Sequence, residues 1–304
     1  MVEPFWETNL IYQVVAGSQA YGLDRPESDR DLRGVCIPPR RYLLGLSSFE
    51  QWEHQDEDGD VVIYALDKFV RLALACNPNI IELLHVEPRH VLFINDYGQR
   101  LVENRHKFLS RRARHTFAGY AISQLRRIER HHRWLVNPPS HQPTPQEFGG
   151  WPVEGRYKFP DHEAQRAYQA ALKHWNHYHA WRCNRNPRRA ALESKYGYDC
   201  KHAMHLLRLL KEGMELLETG QLHVYRPDRE WLRAVREGLL SYEELRELAA
   251  TYEARLEALY EASPLPEAPD AEAIEALVIE LQERFLWASR ERSRFRKSKK
   301  TFEI

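Results

Sequence analysis

The chain has 304 residues, enough for one large domain or two ordinary ones. Lys plus Arg and Asp plus Glu both number 44, so net charge is formally zero and argues neither for nor against a nucleic-acid partner; only local patches can speak. The four cysteines, Cys36, Cys76, Cys183 and Cys200, are widely spaced and form no Cys-x-x-Cys pair, so neither a zinc site nor a disulfide framework is indicated. No apolar run is long enough to span a bilayer, and no apolar leader follows a basic stretch. The expectation is a soluble, cytoplasmic protein with buried free thiols and no membrane association. Nothing in the sequence sets the oligomeric state.

Ile11 to Ala16 is short, apolar and β-branched, and reads as a buried strand. Gly17 ends it, and Ser18 is placed to cap a following helix. Free N–H groups at such a strand–turn–helix junction suit phosphate oxygens. Asp29 and Asp31 then open a second strand, Leu32 to Ile37. Residues i and i+2 of a strand share a face, roughly 6–7 Å apart. Two carboxylates at that spacing can bridge hard divalent cations. A phosphate cradle beside a carboxylate pair is the layout of a phosphoryl- or nucleotidyl-transfer site. Arg33 follows the pair and is expected to point away from their face. Arg25 and Arg30 stand near enough to neutralise phosphate, although loop arginines are usually solvated.

Pro38-Pro39 breaks the second strand, and Arg41 to Leu46 reads as a short helix. Ser48 to Gln55 and Asp60 to Tyr64 read as a hairpin around the turn Asp56-Glu57-Asp58-Gly59. Helical spacing begins at Asp67, is interrupted at Asn77-Pro78 and resumes at Ile80. From about Leu101 the chain is helical. His106 to Trp134 is long and basic, and residues 137 to 160 form a Pro- and Gly-rich excursion. Asp161 to Arg182 and Tyr198 to Thr219 are further helices, the second closed by Gly220. Ser241 to Glu244 is a capping box. Asp270 to about Trp287 is the last helix, and Arg290 to Lys300 is a basic tail expected to be mobile and dispensable for folding.

The ordered set Gly17-Ser18, Ser28-Asp29-Arg30-Asp31, Arg33-Gly34-Val35 and Asn77-Pro78-Asn79-Ile80-Ile81-Glu82-Leu83-Leu84 resembles the DNA polymerase β-like nucleotidyltransferases, in the branch called RNA repair pathway polymerase β-like proteins. The resemblance implies an α+β fold. A nucleotidyltransferase domain with a mixed sheet and flanking helices, residues 1–105, would precede a helical nucleotide- and acceptor-binding domain, residues 106–304. It implies transfer of a nucleoside monophosphate from an NTP to a hydroxyl acceptor, foremost an RNA end, with release of pyrophosphate. It also implies two Mg2+ ions, or Mn2+ in their place, held by Asp29, Asp31 and a third acid. Asp60, at the head of a strand, stands where that acid is expected; Asp58 and Asp67 compete, the first as a turn residue and the second as a helix cap. Gly17 and Ser18 would hold the β- and γ-phosphates.

The same resemblance runs through Tyr198, Lys201, His205 and Arg208. Spaced by four and three, the last three share a helix face. The implied arrangement turns this stripe toward Asp29 and Asp31, with Lys201 and Arg208 on the triphosphate and His205 on the sugar or acceptor. Glu82 is expected in a structural or site-lining role. His131, His132, His174, His177 and His179 lack acidic or thiol partners at ligand spacing and read as packing residues. Arg111, Arg112, Arg114, Arg126, Arg127, Arg130 and Arg133 could track a phosphate backbone, and Trp134, Trp175, Tyr178 and Trp181 could stack on bases, although core packing is the commoner use. Two other readings stay open: a non-catalytic nucleotide- or RNA-binding protein, and a nucleotidyltransferase that modifies a protein or a small molecule.

Overall fold

The computed structural model describes residues 4–56 and 59–301, without the side chains of 188, 189 and 289–301. Asp58 and Phe302, and the side chains of the basic tail, therefore lie outside the described residues.

The expected α+β class holds. A five-stranded mixed sheet forms from β1 (Leu10–Val15), β2 (Leu32–Cys36), β3 (Gln51–Gln55), β4 (Asp60–Ala65) and β5 (Val91–Ile94), in the order β3-β4-β2-β1-β5. Ile11, Tyr12, Val14 and Val15 of β1 are all buried, so this strand is covered on both faces. β1 runs antiparallel to both β2 and β5, and β3–β4 is the expected hairpin, pairing Gln55 with Asp60. β2 and β4 are parallel, with Leu32 opposite Val61.

The helix Leu66–Leu74 follows β4 directly. Its N-cap is Ala65, not Asp67; Asp67 sits in the first turn and pairs with Arg71 at 2.6 Å. Asn77 caps the helix Pro78–Leu84, its side chain accepting from Asn79 N at 3.1 Å. The excursion after residue 137 holds a short hairpin, Trp151–Val153 against Arg156–Lys158. The last helix runs Ala271–Thr301, past Trp287 and through the basic tail, because Arg, Lys, Glu and Ser impose no break on a helix.

The chain resolves into two compact units whose limits differ from a division at residue 105. The first comprises residues 1–121, 206–233 and 248–304; the second comprises 122–205 and 234–247. The first unit gathers distant segments through specific bonds: Arg226 N donates to Tyr21 O at 3.1 Å, and Arg233 Nη2 to Gly22 O at 2.7 Å. The second has an aromatic core, with Trp134 and Tyr178 buried and Trp181 packed at a tilt against both. These rings pack the interior. Among the described residues, no helix is long and apolar enough to cross a membrane.

Candidate active site

At one end of the sheet, the end of β1 meets the start of β2 and the start of β4. Ala16 N donates to Asp31 O at 2.8 Å, fastening the turn after β1 to the segment that carries the acids. The helix Gly17–Tyr21 begins at Gly17, with Ala16 at its N-cap and no side-chain cap. Ser18 therefore lies inside the first turn and is not its cap. Gly17 has φ 64°, and a Cβ there would run into the Asp31 carboxylate. Only glycine combines that dihedral with so close an approach. Gly59 plays a similar part from the hairpin: a Cβ on it would meet the Arg30 carbonyl. Asp56 and Gly59 close their turn through Asp56 N to Gly59 O and Gly59 N to Asp56 Oδ1, both 3.1 Å.

Asp31 is half-buried, Asp29 is exposed, and Asp60 is the first residue of β4. Parallel neighbours point the same way, so the Leu32–Val61 pairing, extended one residue back, sets Asp31 beside Asp60. Arg33, two residues from Asp31, shares that face instead of pointing away. Its Nη2 lies 3.0 Å from Asp60 Oδ2, and its Nη1 donates to Asp60 O at 2.8 Å and to Leu32 O at 2.9 Å. Asp29, Asp31 and Asp60 do not bring three donor oxygens within 4.8 Å of one another; among the described residues only His131, Glu193 and Asp199 meet that closeness.

A cavity of about 260 Å³ opens here, lined by Gly17, Tyr21, Asp31, Arg33, Tyr64 and Glu82 among others. Glu82 connects it to the interior. Tyr21 Oη donates to Glu82 Oε2 at 2.5 Å, and Arg208 Nη1 donates to Glu82 Oε1 at 2.7 Å and to Glu212 Oε2 at 2.7 Å. The Arg208 guanidinium also stacks on Tyr21, 3.8 Å from the ring centroid. All four residues are buried. Burial raises the Tyr21 hydroxyl well above its ordinary range and pushes the Glu212 carboxyl up to about 8, against the pull of Arg208. Arg208 thus sits beneath the cavity in a buried ion-pair cluster. Lys201 and His205 fall in the second unit, Lys201 exposed and His205 half-buried. Tyr198 of the same motif is buried, and its Oη donates to Leu240 O at 2.7 Å.

Sequence reasoning missed two members of this neighbourhood. Tyr64 follows Asp60 by four residues on one strand and so shares its face, a signal alternation alone could have supplied. Glu212 lies one helical turn beyond Arg208, but nothing local says that this turn faces inward.

Comparison with known proteins adds a family. A model of the RNA repair pathway DNA polymerase beta family matches residues 3–280. An uncharacterized 38.9 kDa protein from the nrdC-mobD intergenic region of Enterobacteria phage T4 is 27% identical over 119 residues, 36% of this chain and 35% of that one. The match therefore takes in about a third of that relative's length. The crystal structure of a nucleotidyltransferase-like protein from Exiguobacterium sibiricum 255-15 aligns with 84% of this chain and 69% of its own, at 13% identity and a TM-score of 0.26.

Proposed function

The chain belongs to the RNA repair pathway DNA polymerase beta family, and on that footing we propose that it transfers a nucleoside monophosphate from an NTP to a hydroxyl, foremost on an RNA end, and releases pyrophosphate. The observation that carries this reading is the Asp31 carboxylate seated against Gly17 at the mouth of a cavity, with Asp60 placed alongside by the parallel β2–β4 ladder.

Carboxylate oxygens are the donor type that hard divalent ions take, which supports the reading by chemistry; the oxygens of Asp29, Asp31 and Asp60 do not yet converge within 4.8 Å of one another. Asp29, Asp31 and Asp60 would hold two Mg2+ ions, or Mn2+, whose charge stabilises the attacking and leaving oxygens of an in-line displacement. The chain's own groups do the rest. The backbone N–H groups of Gly17 and Ser18, uncapped by any side chain, face the β- and γ-phosphates. Asp60 accepts the proton of the attacking hydroxyl on a carboxylate oxygen. Arg33 orients Asp60 through its two bonds to that residue. Lys201 and His205 are proposed to meet the triphosphate and the sugar or acceptor. Arg208 is proposed to act from beneath the cavity, by holding Glu82 and Tyr21. All four cysteines are free, which suits a reducing cytoplasm.

The test is to incubate the protein with each labelled NTP in turn, Mg2+ and total RNA. Label in RNA with wild type and none with Asp31→Asn is the expected result. Label on a polypeptide or a small molecule would keep the transfer and change the acceptor. NTP binding without pyrophosphate release under any condition would leave only a binding role.

A further inference from the structure

The second unit holds a different cluster. His131 on the helix Ala113–Val136, Glu193 on the helix Pro187–Tyr196, and Asp199, which precedes the helix Cys200–Thr219, bring one donor atom each within 4.8 Å of one another. All three residues are buried, at 9%, 3% and 3% exposure. Each is also held in place by a neighbour. The His131 ring stacks on Trp134, with centroids 5.4 Å apart and 18° between planes. Asp199 Oδ1 accepts from the backbone N–H groups of Lys201 and His202, at 2.9 and 3.1 Å. Glu193 Oε2 pairs with Arg185 Nη2. His202 Nε2 stands 3.5 Å from Asp199 Oδ2.

An independent observation points to a ligand. His131 Nδ1 is buried and has no hydrogen-bond partner, although a buried polar atom ordinarily finds one. A cation among these donors would accept that nitrogen's lone pair and offset the two buried carboxyl groups together. A cavity of about 440 Å³, lined by Arg127, Trp181 and His202 as well as the three donors, gives an entry path.

We propose that His131, Glu193 and Asp199 bind one divalent transition-metal ion, best matched by Zn2+, which fastens three separate segments of the second unit. One imidazole nitrogen and two carboxylate oxygens are a Zn2+ donor set. Mg2+ prefers oxygen alone, so the site differs in kind from the Asp29, Asp31 and Asp60 group. The neighbours that orient each donor are the outer partners such a centre needs. The inference does not depend on the nucleotidyltransferase reading.

The experiment uses the full chain, stripped with a chelator and dialysed against Zn2+ in excess Mg2+, with metal content measured by mass spectrometry. One tightly held equivalent of Zn2+ is expected in wild type and in Asp31→Asn, with a melting temperature several degrees above the stripped protein. His131→Ala and Glu193→Gln should lose both the ion and the shift. A wild type that holds no tight Zn2+, an equivalent that survives His131→Ala, or one lost in Asp31→Asn overturns the proposal. Should His131→Ala fail to fold, Co2+ loaded into wild type decides: ligand-field bands that persist in Asp31→Asn support the site, and their absence overturns it.

Discussion

Arg33 reaches from β2 to the head of β4, where its Nη2 lies 3.0 Å from Asp60 Oδ2 and its Nη1 grips the Asp60 carbonyl at 2.8 Å. One arginine thus fixes both the backbone and the carboxylate of the proposed third acid. The same positive charge stands where a cation would approach Asp60, so it positions that acid and competes for it.

Asp60→Asn should lower turnover by roughly a hundredfold, the lower range for removing a positioned proton acceptor, while nucleotide affinity changes much less. Arg33→Gln should lower turnover less and should shift the Mg2+ concentration needed for half-maximal rate, because Asp60 loses both its guide and its competitor. Steady-state rates across a Mg2+ titration check both. If Asp67→Asn reproduces the Asp60→Asn defect, the third acid has been misplaced.

Gly17→Ala should impair both folding and chemistry. The left-handed dihedral alone costs about 1–2 kcal/mol for a residue with a Cβ. That Cβ also displaces the Asp31 carboxylate, so turnover should fall further than stability. Thermal melts and NTP turnover on the same preparation separate the two losses.

Arg208→Ala should destabilise the protein by about 3–5 kcal/mol, the usual cost of stranding a buried charge partner. A side chain reaching only for the triphosphate, as the motif implies, could be removed with little change in melting temperature; a guanidinium buried between Glu82 and Glu212 cannot. Lys201 is exposed, so Lys201→Ala should melt like wild type. Denaturant unfolding of the two variants distinguishes the cases. An Arg208→Ala protein as stable as wild type would show that the buried pairs contribute nothing.

Glu212 gives stability a pH dependence of known sign. Burial raises its folded value from 4.5 to about 8, so between those two values the folded state binds more protons than the unfolded one. The stabilisation is complete below about 4.5 and is lost as pH rises through about 8. Wild type should therefore lose more melting temperature as pH rises from about 4.5 to about 8 than Glu212→Gln, whose amide mimics the protonated carboxyl. Parallel slopes for the two proteins would contradict the assignment.

The legible part of this molecule was the part written locally. Gly17, the Asp29–Asp31 spacing and the Asp60 hairpin each announce themselves within a few residues, through turn chemistry and alternation. Arg208 was legible as a motif member but not as a buried one, because helical spacing says which residues share a face and not where the face looks. The His131, Glu193 and Asp199 group was not legible in the sequence: the histidine stands about sixty residues before the two acids, on a separate helix, so no short ligand spacing joins it to them. The unit boundaries were equally hidden, being set by bonds such as Arg226 to Tyr21 that span most of the chain.

The strand β4 is paired on both sides, with β3 through a tight turn and with β2 in parallel. Insertions and deletions therefore have unequal consequences along this stretch. Between Cys36 and Gln51 the chain can lengthen or shorten while every strand keeps its partner. One residue inserted between Asp60 and Val61 has no such outlet, because the ladder to β2 holds Val61 opposite Leu32 while the Gly59 turn is pressed against Arg30. The change would rotate Asp60 to the opposite face of the sheet. An engineered loop library in this protein belongs before β3, and a single residue inserted between Asp60 and Val61 should turn the proposed third carboxylate away while every original side chain is kept.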